Sequence, residues 1–101
     1  MIKMKYLLLL ATLISMPLAS YAAGDAAAGK SKSAVCAACH GAAGISPNDI
    51  WPNLAGQKQG YLIKQIKAFK DGSRNDPMMS PMASPLSDED IDNLAAYFGG
   101  L

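Results

Sequence analysis

The sequence predicts an all-α domain with three main helices and two long loops. Three segments carry apolar residues at helical spacing, and none alternates convincingly between apolar and polar residues as a half-buried strand does. Residues 41–58 and 72–86 separate these segments and are rich in Pro, Gly, Ser and Asn. Loops of more than about 12 residues are uncommon in a compact domain and usually serve a site. The loops therefore indicate a functional site between the helices.

The first predicted helix begins after Asp25, an N-cap residue type, and continues to about Ala37. Gly29 lies inside this helix, where glycine costs about 1 kcal/mol relative to alanine. A backbone that another element approaches closely would justify that cost, because glycine has no side chain to obstruct it.

The second predicted helix extends from about Gln59 to Asp71. Leu62, Ile66 and Phe69 recur at positions i, i+4 and i+7, which places them on one face. Gly72 follows as the C-terminal cap, because glycine readily adopts the left-handed conformation that ends many helices.

The third predicted helix begins after Ser87, another N-cap residue type, and ends at Gly99 and Gly100. Three acidic residues occupy its first turn, where the positive end of the helix dipole stabilises them. Its apolar face consists of Ile91, Leu94, Ala95 and Phe98.

The N-terminal segment, residues 1–22, has the features of a secretory signal peptide. Lys3 and Lys5 form a basic start, a leucine-rich run follows, and small residues flank Tyr21. We predict cleavage between Ala22 and Ala23, which leaves residues 23–101 as one domain. An uncleaved anchor is the alternative, but the uninterrupted apolar run is shorter than the roughly 20 residues that span a membrane. We therefore expect a periplasmic protein that does not span the membrane after cleavage.

The charge of the predicted domain is close to neutral. After cleavage, seven basic residues face eight acidic ones, which gives a net charge of −1 before any cofactor is counted. Nucleic-acid binding requires a clustered basic excess, so we expect no nucleic-acid partner. A domain of about 80 residues also has a marginal core and often depends on a cofactor.

Both cysteines and the only histidine occur together in Cys36-Ala37-Ala38-Cys39-His40. This spacing is the attachment signature of c-type haem. Two thiols form thioethers with the porphyrin vinyl groups, and the imidazole that follows ligates the iron. We predict one covalent haem c, attached at Cys36 and Cys39 with His40 as an axial iron ligand. A redox dithiol or a zinc site is the alternative, although the first expects a βαβ context that the sequence lacks.

The second loop contains three methionines, Met78, Met79 and Met82. The sixth iron ligand cannot be a second histidine, because the chain has none. A methionine thioether binds ferrous iron well and raises the reduction potential. The alternatives are methionines that merely fill a core, and a distal side that is open or bound by lysine.

The ordered set of motifs resembles the class I cytochromes c, and in particular one half of the periplasmic dihaem cytochromes. The resemblance covers nearly all of residues 23–101, and implies the class I cytochrome c fold wrapped around one haem. The matching segments include Ala23-Gly24-Asp25, Cys36-Ala37-Ala38-Cys39-His40-Gly41, Asn53-Leu54-Ala55-Gly56-Gln57, Tyr61-Leu62, the Met-x-x-Met loop and Leu86-Ser87-Asp88-Glu89-Asp90-Ile91.

The resemblance also implies roles for individual residues. In that family the ligand methionine lies seven positions before the apolar residue that opens the last helix. With Leu86 in that place, Met79 is selected as the ligand, and Met82 is the second choice. A family proline twelve residues after the histidine accepts a hydrogen bond from the imidazole with its carbonyl, and here it is Pro52.

The resemblance also implies a contact between helices. The family's first and last helices cross at a glycine and an aromatic residue, which matches Gly29 with Leu94 and Tyr97.

Two other aromatic residues are candidate contacts to the haem. Trp51 and Tyr61 carry N–H and O–H groups that are candidate partners of the haem carboxylates. The alternative for both is a buried ring whose polar edge is satisfied elsewhere.

Ligation by histidine and methionine fills both axial positions and leaves the iron no site for a small-molecule substrate. We therefore predict a monomeric electron carrier, not an enzyme, that shuttles electrons between respiratory-chain components: a membrane-bound donor and an oxidase or reductase. The alternatives are an electron-transfer subunit of a larger dehydrogenase, and a gas- or peroxide-binding haem protein with an open distal site. Four lysines on the second helix form either a docking surface for an acidic partner or a solvated face: Lys58, Lys64, Lys67 and Lys70.

Overall fold

The computed structural model describes residues 24–101, and the predicted signal peptide over residues 1–22 lies outside the described residues. The described chain contains helices and no strand, so the predicted all-α class is confirmed for it. Within residues 24–101, no helix is long and apolar enough to cross a membrane. The helices are α1 (Ala26–Lys32), α2 (Ala34–His40), α3 (Gln59–Asp71), α4 (Met79–Ala83) and α5 (Asp88–Gly99).

The first predicted helix is divided into α1 and α2 at Ser33. The Ser33 hydroxyl donates a hydrogen bond to the Lys30 carbonyl at 2.7 Å, and the Ser33 backbone N–H donates to the same carbonyl at 3.2 Å. These bonds end α1, because serine competes with the regular hydrogen bonds of a helix. The second segment, α2, then continues to His40, three residues beyond the predicted end.

Helices α1 and α5 cross at Gly29, which is buried. A Cβ atom at this position would lie 2.0 Å from the Asn93 carbonyl oxygen and 2.9 Å from the Tyr97 Cβ. The predicted crossing of Gly29 with Tyr97 is confirmed, but the closest atom belongs to Asn93 rather than to Leu94. The Asn93 side chain is itself buried, and its Oδ1 accepts a hydrogen bond from the Asp25 N–H at 2.7 Å. This bond fixes the start of α1 against α5.

Helices α3 and α5 supply the apolar core. Leu62 of α3 forms one buried cluster with Leu94, Ala95 and Phe98 of α5. Burial of each large side chain in such a cluster contributes about 1.5–3 kcal/mol. Gly72 ends α3 with φ at +84°, in the left-handed conformation predicted for it.

Helix α5 begins with a capping box. The Ser87 hydroxyl accepts a hydrogen bond from the Asp90 N–H at 3.0 Å, and the Asp90 carboxylate accepts one from the Ser87 N–H at 3.1 Å. The carboxylate also forms an ion pair with the Lys32 ammonium group at 3.3 Å. The bond from Ser87, with a smaller effect from Lys32, holds the pKa of Asp90 below its usual range.

Replacing Asp90 with asparagine is expected to make folding stability less sensitive to acid. A carboxyl group whose pKa is lowered by folding stabilises the protein above its unfolded-state pKa, and this contribution is lost as the pH falls through the folded-state pKa. Urea midpoints of the unsubstituted protein should therefore decline more steeply than those of Asp90→Asn below about pH 5. Asparagine keeps an oxygen acceptor for Ser87, so the capping geometry is retained. Parallel pH profiles would contradict this account.

Candidate functional site

The loop that follows α2 folds back on itself at two glycines. Gly41 has φ at +87°, and a Cβ atom there would lie 1.9 Å from the Ile45 carbonyl oxygen. The Gly44 carbonyl accepts hydrogen bonds from the N–H groups of Leu54 and Ala55 at 2.8 and 3.0 Å. These bonds close the loop and return the chain to the end of α2.

His40 is the last residue of α2 and is only 6% exposed. Its Nδ1 lies 2.7 Å from the carbonyl oxygen of Pro52, on the returning part of the loop. Because a carbonyl only accepts hydrogen bonds, Nδ1 carries the proton in this pair, and in the neutral imidazole the lone pair is then on Nε2. The contact fixes the ring orientation and leaves one nitrogen available to a metal ion.

His40 lines a cavity of about 770 Å³ that Cys36 and Cys39 also line. Five of the seven large apolar side chains that the described chain exposes surround the same cavity: Val35, Ile50, Tyr61, Met78 and Met82. Exposed apolar side chains that cluster around one concave site are typical of a site for an apolar ligand. The cavity therefore suits a large apolar group that carries a metal ion and reacts with two thiols, which is the chemistry of haem c.

The two thiols do not have the surroundings of a redox dithiol or of a zinc site. Burial raises the pKa of the Cys36 thiol, which reduces its reactivity as a nucleophile at neutral pH. The βαβ context expected of a thiol–disulfide oxidoreductase is missing, since residues 24–101 form no strand. Nor do three or more His, Cys, Asp or Glu side chains of the described chain come together as a metal site.

The loop between α3 and α5 contains the short helix α4, which the sequence does not predict. Pro77, Pro81 and Pro85 favour an irregular structure for this segment. Pro81 is the third residue of α4, however, and proline is tolerated in a first turn because its missing N–H has no partner there. Asp76, a capping residue type three positions before Met79, is the signal that indicates the helix.

The Asp76 side chain holds the backbone from which the methionines project. Its Oδ1 accepts hydrogen bonds from the N–H groups of Met78 and Met79, both at 2.8 Å. The Ser80 hydroxyl in turn accepts a bond from the Asp76 N–H at 3.0 Å. The bond from Met79, followed by that from Met78, lowers the pKa of Asp76 below its usual range.

All three candidate methionines line the cavity, so this property alone does not distinguish them. Met78 and Met82 are 52% and 43% exposed, whereas Met79 is half-buried. Three polar side chains of the same loop are of a type that could serve an open distal site, but they do not line the cavity: Asn75, Ser80 and Ser84.

Trp51 and Tyr61 also line the cavity. Trp51 is half-buried, and Tyr61 is 51% exposed. Both rings are therefore within reach of a group that fills the cavity.

The four lysines in and just before α3 differ in their contacts. The Lys70 ammonium group donates a hydrogen bond to the Leu86 carbonyl and thereby ties the end of α3 to the segment before α5. Lys58, Lys64 and Lys67 are exposed. Any charged surface formed by this set therefore rests on those three residues.

Comparison with known proteins gives a consistent result. A family model described as Cytochrome c matches residues 26–101. The chain is 53% identical over 79 residues to cytochrome c4 of Pseudomonas aeruginosa, which covers 78% of this chain and 39% of that protein. It is also 53% identical over 79 residues to cytochrome c-554(548) of Halomonas halodenitrificans, covering 75% of this chain and 95% of that protein.

A solved structure also matches. The crystal structure of reduced recombinant cytochrome c4 from Pseudomonas stutzeri superposes with a TM-score of 0.73 at 48% identity, covering 76% of this chain and 45% of that chain. The chain thus spans less than half the length of these cytochrome c4 relatives and nearly all of cytochrome c-554(548).

Proposed function

The chain belongs to the cytochrome c family, and on that premise we propose that it is a single-electron carrier built around one covalently bound haem c. Such a haem, when bound, supplies an iron centre that accepts and releases one electron at a time. The single observation that carries the proposal is the cavity itself. It brings together Cys36, Cys39 and a buried His40 whose Nδ1 is held by the Pro52 carbonyl.

We propose that the two protein ligands of the haem iron come from distant parts of the sequence and not from one motif. His40 offers Nε2, because Nδ1 donates a hydrogen bond to the Pro52 carbonyl oxygen. Met79 is proposed as the second ligand, since it is the least exposed of the three cavity methionines and its N–H is held by Asp76. Met82 is the second choice. Two protein ligands leave the iron no position for a substrate, which agrees with a family of electron carriers rather than enzymes.

The remaining side chains keep the site dry and rigid. Leu62, Leu94 and Phe98 line the cavity and are buried, so they exclude water from its inner wall. Fixed apolar walls do not reorganise when the charge inside them changes, which favours rapid electron exchange. Trp51 and Tyr61 are proposed as contacts to the cofactor, because both rings line the same cavity.

The cellular location is proposed from the N-terminal sequence, and the partners are proposed from the electron-transfer chemistry of the haem. We propose that residues 1–22 are a signal peptide, cleaved between Ala22 and Ala23, and that residues 23–101 act in the periplasm. The partners are redox proteins, with a membrane-bound donor and an oxidase or reductase acceptor as the specific proposal. A monomer that diffuses between them is the primary form, and an electron-transfer subunit of a larger dehydrogenase is the alternative.

Removing both attachment thiols tests the covalent cofactor. In Cys36→Ala with Cys39→Ala, haem should no longer remain with the chain after denaturation, because no thioether bond can form. Each single variant should retain one thioether and therefore haem that resists denaturation. The measurement is haem-dependent peroxidase staining of denaturing gels, with unsubstituted protein as reference. Stable haem in the double variant would contradict the proposed attachment.

The absorption spectrum of the purified protein tests the axial ligands. A six-coordinate, low-spin ferrous spectrum and negligible carbon monoxide binding are expected if both axial positions are filled. A five-coordinate, high-spin spectrum with rapid carbon monoxide binding would instead support a gas- or peroxide-binding protein.

A further inference from the structure

We propose that Arg74 raises the reduction potential of the haem through a positive charge that is fixed at the cavity wall. The proposal rests on the proposed function, because its effect requires a haem in the cavity. Among the lysine and arginine side chains of residues 24–101, Arg74 is the one that lines the cavity. Its place in the site was not apparent from the sequence.

Two neighbours hold the guanidinium group in place. The Arg74 Nη1 donates a hydrogen bond to Gln65 Oε1 at 2.7 Å. The guanidinium carbon also lies 4.4 Å from the centre of the Phe69 ring, within the range of a cation–π contact. Gln65 and Phe69 both lie on α3 and line the cavity.

The backbone of Arg74 is fixed to the same helix. Its N–H and that of Gly72 both donate to the Ala68 carbonyl, at 3.0 and 3.1 Å. These bonds satisfy a carbonyl at the end of α3 that the helix itself leaves unpaired. The backbone N–H and the guanidinium group of Arg74 are therefore both anchored, which restricts a side chain that has many rotatable bonds.

Two other cations of this part of the fold lie away from the cavity. Lys70 is engaged with the Leu86 carbonyl at the far end of the loop and does not line the cavity. Lys67 is exposed on α3 and does not line it either. These two residues carry the same charge as Arg74 on the same part of the fold, so they separate a local effect from a general one.

The direction of the effect follows from electrostatics. Oxidation of the haem adds one positive charge inside the cavity, and a fixed cation at the wall opposes that addition. Arg74 therefore favours the reduced form and raises the reduction potential. For unit charges about 10 Å apart at an effective dielectric constant of about 40, the equilibrium between oxidised and reduced protein changes about fourfold. Added salt should weaken the effect, because Arg74 is exposed to solvent.

Four variants of the haem-loaded protein test the proposal by potentiometric titration at low and high salt. Arg74→Gln should shift the equilibrium about fourfold towards the oxidised form at low salt, and less at high salt. Arg74→Lys keeps the charge and should recover most of the difference. Gln65→Glu keeps Arg74 and its hydrogen bond but neutralises the pair, so it should shift the equilibrium in the same direction. Lys67→Gln is the control and should change it by less than about twofold.

Different results would refute the role of Arg74 and the proposed function. An unchanged potential in both Arg74→Gln and Gln65→Glu, with the low-spin spectrum intact, would overturn the role of Arg74. An equal shift in Lys67→Gln would overturn it too, because the effect would then belong to net charge. If Arg74→Gln fails to fold, Gln65→Glu and Arg74→Lys still give a decisive result. An unsubstituted protein without covalent, low-spin haem would instead refute the proposed function.

Discussion

Replacing Gly29 with alanine is expected to destabilise the domain by about 3 kcal/mol or more. The added Cβ atom would lie 2.0 Å from the Asn93 carbonyl oxygen, which belongs to the backbone of α5 and cannot rotate away. Relief of this clash requires α1 and α5 to separate. Such a movement would also break the bond between the Asp25 N–H and the Asn93 side chain, which is 2.7 Å long. A small domain has only a few kcal/mol of stability in reserve, so the loss is large.

Gly60 provides the matched control for this substitution. It also lies in a helix, α3, but a Cβ atom there would have no neighbour within 4 Å. Gly60→Ala is therefore expected to be neutral or to stabilise the domain by up to about 1 kcal/mol, because alanine favours the helix. Urea unfolding of both variants, followed by circular dichroism, gives the comparison. Equal stabilities for Gly29→Ala and Gly60→Ala would show that the helices do not meet as the structure describes.

The helices could be predicted because their signals are local. Ser87 with the acidic residues after it and Gly72 at the end of α3 act through neighbours within a few positions. The division at Ser33 escaped prediction because it depends on one serine donating to Lys30, an interaction that many serines within helices do not make. Helix α4 escaped because the prolines that disfavour a helix interior are tolerated in a first turn.

The site was predictable to the extent that one segment contains it. Cys36, Cys39 and His40 form a motif whose spacing predicts covalent haem attachment, and the family resemblance implies the contact between His40 and Pro52. The role of Asn93 in the α1–α5 contact and the place of Arg74 at the cavity depend on residues that are distant in sequence. Asn93 meets Asp25 across 68 positions, and Arg74 meets Gln65 across nine. No spacing rule identifies such partners, because the packing of the helices determines them.

Replacing Met79 with leucine is expected to remove the sixth iron ligand and to lower the reduction potential on the order of 0.1 V or more. Leucine nearly preserves the side-chain volume, so the packing of the half-buried position should change little. What the substitution removes is the sulfur. The ferrous protein should then become high-spin and bind carbon monoxide rapidly, because one axial position is open.

Met82→Leu and Met78→Leu are the matched controls, since both residues line the same cavity and are more exposed. If Met79 is the ligand, both controls should keep the low-spin spectrum and nearly the potential of the unsubstituted protein. A change of ligation in Met82→Leu alone would transfer the assignment to Met82. Asp76 favours Met79 over Met82, because a ligand must be presented from a fixed backbone and the Asp76 carboxylate holds the Met79 N–H at 2.8 Å. The same carboxylate holds the Met78 N–H, and Met78 is the weaker candidate because its side chain is 52% exposed. Met82 lies one turn further along α4, beyond the reach of that cap.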